Sequence, residues 1–367
     1  MDIIAFYLPQ YHPTPHNNEW WGEGFTEWTN VAKAKPLFRG HYQPKIPADL
    51  GFYDLRMPEV KEKQAALARE AGVTGFCYYH YWFGNGHEEL ELPFNQVVES
   101  GKPDFPFCLC WANESWYKKF WNKDGDVQGK QDLAIQKYLG SEDNIKHFNS
   151  LKKALSDPRY IKIDGRLVFM IYRPLAFEGI ESFIEEWNKL AKEAGLNGFY
   201  FIGYTLKVAE EYEEIKKRGF DAVCSCHLGY GRQSKLMYIA RKVLSVITNS
   251  PRRFSYKKMI PQLLSSVDVK EDVFPTMLPN WDHTPRSGTG GYVYTGSTPE
   301  LFQNHAEQVL NCIKEKPEQS RVCFIKSWNE WGEGNYMEPD LKYGHGYINA
   351  LRFAIKNVCG DEFYNIA

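Results

Sequence analysis

An excess of charge of either sign is missing from this chain, in which 44 Lys/Arg stand against 46 Asp/Glu for a formal net charge of −2. Nothing here draws phosphate backbones or anionic lipid by long-range attraction, so neither nucleic acid nor a membrane is an expected partner. Long apolar runs are also lacking. No segment approaches the length of a membrane span. The apolar stretch within MDIIAFYLPQYHP is too short for a signal peptide and has neither a basic start nor a small-residue cleavage site, so a cytoplasmic protein is expected. A glycine-rich phosphate turn is absent where a dinucleotide fold would need one. The first β-rich run leads instead into Pro9-Gln10-Tyr11-His12-Pro13, which argues against an open doubly wound sheet. Among the ten histidines only His12 and His16 stand at a helical spacing, and Pro13 and Pro15 lie between them, while Asp124-Gly125-Asp126 is a lone acidic triplet. No metal and no cofactor are expected. Cysteine is present eight times, but mostly inside apolar runs. Cys108/Cys110 and Cys224/Cys226 each share a strand face without the second half of a zinc site, which fits small core residues.

Aromatic residues are what the chain has in excess, at 16% with 11 Trp, 23 Tyr and 23 Phe, and many stand in polar stretches. Rings beside carboxylates and amides suit a sugar, whose C–H bonds stack on the ring while its hydroxyls hydrogen-bond around the edge. Eight short β-rich runs recur: Ile3 to Leu8, Val73 to Tyr79, Pro106 to Trp111, Leu167 to Tyr172, Gly198 to Tyr204, Ala222 to His227, Val273 to Leu278 and Val322 to Trp328. Helical periodicity falls between them at Pro58 to Ala71, Ile145 to Leu155, Ile180 to Ala194 and Pro299 to Ile313, and Tyr347 to Val358 closes the chain. Strands buried on both faces and alternating with helices predict an α/β fold, one (β/α)₈ TIM barrel over residues 1–367, a size such barrels reach when their loops are long. The segments leaving the strands are long and aromatic, the first running from about Pro9 to Met57, so the functional end is the C-terminal mouth. Lys235 to Ser266, basic and apolar together, reads as an elaborated sixth helical region with a solvated face.

Strand eight ends in Ser327-Trp328-Asn329-Glu330-Trp331-Gly332-Glu333-Gly334, followed by Asn335-Tyr336-Met337-Glu338-Pro339. If the loop turns helically, Glu330 and Glu333 face one side, about 5–6 Å apart at Cβ. Paired carboxylates at that range can protonate a leaving oxygen and assist attack, the two tasks of glycoside cleavage. Glu330 and Glu333 are therefore the catalytic candidates. Lys326, four residues before Glu330, could hold it ionised or be a buried ion-pair member without a catalytic part.

Asn-Glu-Trp-Gly-Glu-Gly followed by Met-Glu-Pro resembles the strand-eight signature of family-99 glycoside hydrolases, the endo-α-1,2-mannosidases and mannanases, which commonly carry His where Gly332 stands. The rest of the chain resembles the WbsX-like group, relatives of that family often found in bacterial surface-polysaccharide clusters. That likeness rests on Ala5 to Pro13, Glu19 to Val31, Gly75 to Phe83, Trp111 to Glu114 and Trp281 to Arg286. The resemblance implies Glu333 as general acid/base and Glu330 as the base that deprotonates the sugar's own 2-hydroxyl, with configuration retained through a 1,2-anhydro intermediate. Such a pair needs one carboxyl protonated near neutrality and the other ionised.

The carbohydrate-contacting candidates come from the same segments. Loop one and its strand offer Tyr7, His12, Trp20 and Trp21, the last two as a lid or subsite wall. Strand two offers Tyr79 and His80, strand three Trp111 and Asn113 with Glu114 as a weaker candidate, strand four Tyr172 and strand six His227. Trp281, Asp282 and Arg286 follow strand seven, and Asn329, Trp331 and Tyr336 surround the carboxylates. Glu330 and Glu333 are expected to face a pocket lined by Trp111 and Trp281. The leading expectation is a retaining glycosidase acting on an α-linked, mannose-like glycan. Two rivals are a glycosyl-transfer enzyme of surface-polysaccharide assembly, using an acceptor hydroxyl in place of water, and a non-catalytic carbohydrate-binding barrel.

Overall fold

The computed structural model describes residues 1–121, 127–228 and 235–360. Asp124 and Asp126 lie outside them. Eight parallel strands form the centre: β1 (Asp2–Tyr7), β2 (Gly75–Trp82), β3 (Phe107–Trp111), β4 (Arg166–Ile171), β5 (Phe199–Thr205), β6 (Ala222–Ser225), β7 (Val273–Met277) and β8 (Val322–Ile325). Each pairs with the next, and β1 pairs with both β2 (Ile4 opposite Gly75) and β8 (Asp2 opposite Val322), so the sheet closes on itself. This is a (β/α)₈ TIM barrel.

Helices follow the strands in turn: α1 (Pro58–Ala71), α2 (Leu92–Ser100), α3 (Ser141–Leu155), α4 (Ile180–Glu193), α5 (Val208–Lys217), α6 (Lys235–Ile247), α7 (Pro299–Ile313) and α8 (Gly346–Cys359). Local signals set their ends. Pro58 occupies the first turn of α1, where a missing N–H costs nothing, and Gly72 stops it in the left-handed region at φ 87°. Thr298 caps α7 by accepting from the Leu301 N–H, with Pro299 next.

Alternation along the strands divides the side chains between the barrel interior and the helix layer. Phe6 packs inward against Tyr79, Tyr204 and Phe324. Its neighbour Tyr7 points out, against Phe76 and Tyr78. Cys77 touches Cys108 and Cys110, and Cys224 meets Thr276. These small side chains leave the interior room for its large rings. All eight cysteines are free.

The functional end departs from the expected boundaries. Strand β8 stops at Ile325, three residues early, because the chain leaves the barrel and pairs Asn329–Glu330 with Asn335–Tyr336. Strand β6 stops at Ser225, before His227. A hairpin of Trp116–Trp121 and Val127–Ala134 follows β3. Arg252–Ser255 and Tyr292–Thr295 pair across the loops after β6 and β7, over a second core holding Phe254, Tyr256, Leu278, Trp281 and Tyr294.

Candidate active site

Loop eight is held to loop one by hydrogen bonds that its sequence dictates. The Asn329 amide accepts from Leu8 N (2.7 Å) and donates to Leu8 O (3.0 Å), copying a backbone pair. Tyr11 donates to the Asn329 carbonyl and accepts from Trp331 N. Beneath them Glu338 accepts from Trp331 Nε1 (2.6 Å), Tyr53 Oη (2.9 Å) and Gln64 Nε2 (2.6 Å), and Tyr7 Oη donates to Gln64. Burial pushes the Glu338 carboxyl up to about 7 against those donors. Tyr7, Asn329 and Trp331 thus form the footing of the loop. Trp331 also stacks on Tyr336, with ring centroids 3.7 Å apart.

The two carboxylates above this footing sit in separate cationic settings. Glu330 Oε2 accepts from Lys326 Nζ (3.1 Å), Asn335 Nδ2 (3.4 Å) and Ser327 Oγ. Lys326 also donates to Tyr79 Oη (2.9 Å). Burial opposes charge on Lys326, but Glu330 with Tyr79, Tyr172 and Glu333 outweighs it and raises the pKa well above the usual lysine value. Glu333, on the single 3₁₀ turn Trp331–Glu333, accepts from Arg286 Nη1 (2.6 Å) and lies 3.6 Å from His283 Nε2. Arg286 turns its Nε to Glu27 Oε1 (2.9 Å), a buried residue of the helix Glu27–Lys33. A Cβ at residue 332 would overlap the Glu27 carboxylate, so glycine there is what admits Glu27 and Arg286 beneath the turn.

Burial tends to raise the Glu333 pKa, yet Arg286, Lys326 and His283 outweigh it and hold the carboxyl below its ordinary range. The expected division is therefore altered in the resting site. Glu333, the expected proton carrier, is kept ionised by the arginine. Burial lowers the pKa of His283, so the constellation carries three carboxylates, Glu27, Glu330 and Glu333, against Lys326 and Arg286.

A chain of rings leads outward from the carboxylates. Tyr79 neighbours Tyr81 and Tyr172, Tyr172 stacks on Tyr204 at 4.7 Å, and Tyr81 meets Trp116 at 5.0 Å. Trp116 meets Trp20 (6.0 Å), which stacks on His16. Glu330, Glu333, Arg286, Tyr79 and Tyr172 are thus brought together, with Trp20 at the outer end of the chain of rings.

Other expected residues turn their side chains elsewhere, although the Asp282 N–H donates to the Glu333 carbonyl (2.7 Å) and Trp281 stacks on His283. Trp111 does not line this mouth. It faces the helix layer against His147 and Phe183 and donates to Trp82 O (2.9 Å). His80, one position out of step with Tyr79, also points outward, to His147 Nε2 at 2.7 Å. Burial lowers its pKa to about 3, so it is neutral. Trp281 stacks on Tyr292 in the second core, and Trp21 is exposed beside Phe25. His12 bonds Pro9 O (3.1 Å), and His227 bonds Asp268 (2.8 Å). Asn113 ties loop three to loop four through Arg173 N, Arg173 O and Tyr138 Oη. Glu114 pairs with Arg173 at 2.6 Å. Asp282 accepts from His41, Gln43 and Thr284; burial alone would raise its pKa, but His41, Lys45 and Thr284 bring it to about 2.

Glu27, Tyr81, His283, Ser327 and Asn335 were not singled out by the sequence. Alternation from Tyr79 would have found Tyr81, and a glycine between two carboxylates hinted at a close approach.

Asp282 and Tyr336 instead line a cavity of about 550 Å³ between loops one, six, seven and eight, with Arg39, Lys45, Arg253 and Lys342 on its walls. Lys342 Nζ sits over the Tyr42 and Tyr343 rings, at 4.8 and 4.7 Å. The volume suits a sugar. Among the described residues, one group with metal-ligating atoms in mutual reach is His16, His87 and Glu89, all within 4.8 Å. There Glu89 already pairs with both imidazoles.

A family model described as glycosyltransferase WbsX matches residues 3–351. The proteins described as uncharacterized protein WxcX from two strains of Xanthomonas campestris pv. campestris, B100 and ATCC 33913, are each 33% identical over 96% of this chain. The chain spans about half the length of these relatives, 49% of each. Among solved structures, a GH99 endo-α-mannosidase from Bacteroides thetaiotaomicron superposes with TM-score 0.57 at 17% identity, over 99% of this chain and 97% of the other. A glycoside hydrolase-like protein gives 0.55 at 15%, over 96% and 93%. At such identities the likeness is one of fold.

Proposed function

The chain belongs to the glycosyltransferase WbsX family, and from that premise we propose that it is one barrel domain cleaving α-linked, mannose-like glycans in the cytoplasm with retention of configuration. The observation that carries this reading is the pair Glu330 and Glu333 in the loop after β8, each with its own cation, Glu330 near Tyr79 and Glu333 near Tyr172. Glu330, paired with Lys326, takes the proton of the sugar's 2-hydroxyl. That oxygen then attacks the anomeric carbon while the bond to the leaving oxygen breaks. Glu333 supplies the leaving oxygen's proton, then removes one from the incoming water as the 1,2-anhydro ring opens and Glu330 returns its proton to O2. Because Arg286 holds Glu333 ionised at rest, the acid role operates on the acid side of neutrality or after substrate has drawn Arg286 away.

The same ionised Glu333 favours a second reading. It is poised to deprotonate an acceptor hydroxyl, as glycosyl transfer requires. Digestion of an α-mannan oligosaccharide, with and without added acceptor sugar and followed by proton NMR, separates the two. Hydrolysis releases a reducing sugar that appears first in the α configuration, whatever acceptor is present. Product formed only with acceptor would make the chain a transferase. No product from any glycan that shifts its melting temperature would leave a binding barrel.

A further inference from the structure

Charge along this chain is balanced in total but not in place. Residues 222–267 hold eight of its 44 Lys/Arg and none of its 46 Asp/Glu. Helix α6 lies in that stretch, and six of its large apolar side chains, Leu236, Ile239, Val243, Leu244, Val246 and Ile247, are 51% to 81% exposed. Their spacing of three and four sets Leu236, Ile239, Val243 and Val246 in one stripe. Elsewhere among the described residues, large exposed apolar side chains are scattered, and scattered ones need no partner. The helix is anchored from behind. Arg241 lies over the Phe254 ring at 4.6 Å, the strand after the helix pairs with Tyr292–Thr295, and Tyr256 Oη donates to Leu278 O at 2.6 Å. The apolar stripe is therefore held outward on a fixed base, with exposed Lys242, Arg253, Lys257 and Lys258 near it.

We infer that α6 is an interfacial helix that docks this protein on the surface of an anionic lipid bilayer. An apolar stripe in a stretch of chain whose charged residues are all cationic matches the two layers it would meet, acyl chains under the headgroups and negative charge at their level. Thirteen residues rise about 20 Å, and no described helix is long and apolar enough to cross a membrane. The helix lies in the plane. Arg253 belongs both to this face and to the wall of the 550 Å³ cavity, so docking brings that cavity close to the bilayer. The inference does not depend on whether the carboxylates hydrolyse or transfer.

The test is vesicle flotation of the whole chain, with phosphatidylcholine alone and with roughly one-third phosphatidylglycerol. The protein should float with the anionic vesicles only, and high salt should release most of it. Ile239→Glu/Val243→Glu and Lys257→Glu/Lys258→Glu should each lower the bound fraction at least about tenfold, with circular dichroism and melting temperature unchanged. Protein that stays in solution with anionic vesicles, or variants that float like the parent, would overturn the proposal. So would light scattering that finds a dimer lost in Ile239→Glu/Val243→Glu but no flotation, since a second copy would then cover the stripe.

Discussion

Glu330 and Glu333 stand three positions apart but differ in what holds them, and separate phenotypes should follow. If Glu330 is the base, as proposed, Glu330→Gln removes it whatever the leaving group, and a loss of about 10²–10⁴ in kcat is expected on every substrate. Glu333→Gln should cost that much on natural glycans but little in the cleavage step of aryl glycosides, read as the first burst of aryl release, because those leaving groups need no proton. Parallel rate measurements on both substrate types check this, and full activity in both variants would place the chemistry elsewhere. Arg286 gives a second handle. It is the strongest of the groups that hold the Glu333 pKa down against burial, so Arg286→Met should raise that pKa. If Glu333 is the acid, the alkaline limb of kcat/KM against pH moves upward. A shift of the acid limb instead would make Glu333 a base and favour transfer.

Loop eight is an element whose shape depends on partners from far along the chain. Glu338, held at about 7 by burial, prefers to be neutral in the fold, whereas an unfolded glutamate titrates near 4.3. Its share of stability is complete below the unfolded value and is lost as pH rises through 7. Compared with Glu338→Gln by thermal melts from about pH 5 to about pH 8, the parent should lose ground steadily. A constant difference would refute the assignment. Gly332→Ala tests the close approach. Its Cβ would displace Glu27 and with it Arg286, so it should cost about 1–3 kcal/mol and most of the activity, read by denaturant melts and initial rates. Much of this loop was legible because its carboxylates, asparagine and tryptophans are contiguous in sequence. Their separate tasks were not. Asn329 and Trp331 look like sugar ligands in one dimension, and only the positions of Leu8 and Glu338 make them footings. Tyr79 and His80 are adjacent in sequence, yet the strand's two-residue period sends them to opposite sides of the barrel wall.

At the scale of the molecule, the eight strand–helix alternations were readable because strands buried on both faces leave continuous apolar runs. The cavity was not, since Arg39, Asp282, Tyr336 and Lys342 come together only when loops one, seven and eight meet. Four cationic side chains, Arg39, Lys45, Arg253 and Lys342, outnumber Asp282 and Asp340 on its walls, and with the aromatic faces they suit a glycan bearing negative charge. Lys342→Ala should therefore raise KM for an acidic oligosaccharide several-fold and leave kcat and neutral substrates unchanged. An equal change for both substrates would remove the cavity from the binding path.

The closure of β1 on β8 bears on how the chain is made. Until its eighth strand emerges from the ribosome, a nascent chain has two naked sheet edges, β1 and β7, and neither Glu330 nor Glu333. Interrupted synthesis thus yields no closed barrel mouth, only a sticky sheet suited to aggregation or proteolysis.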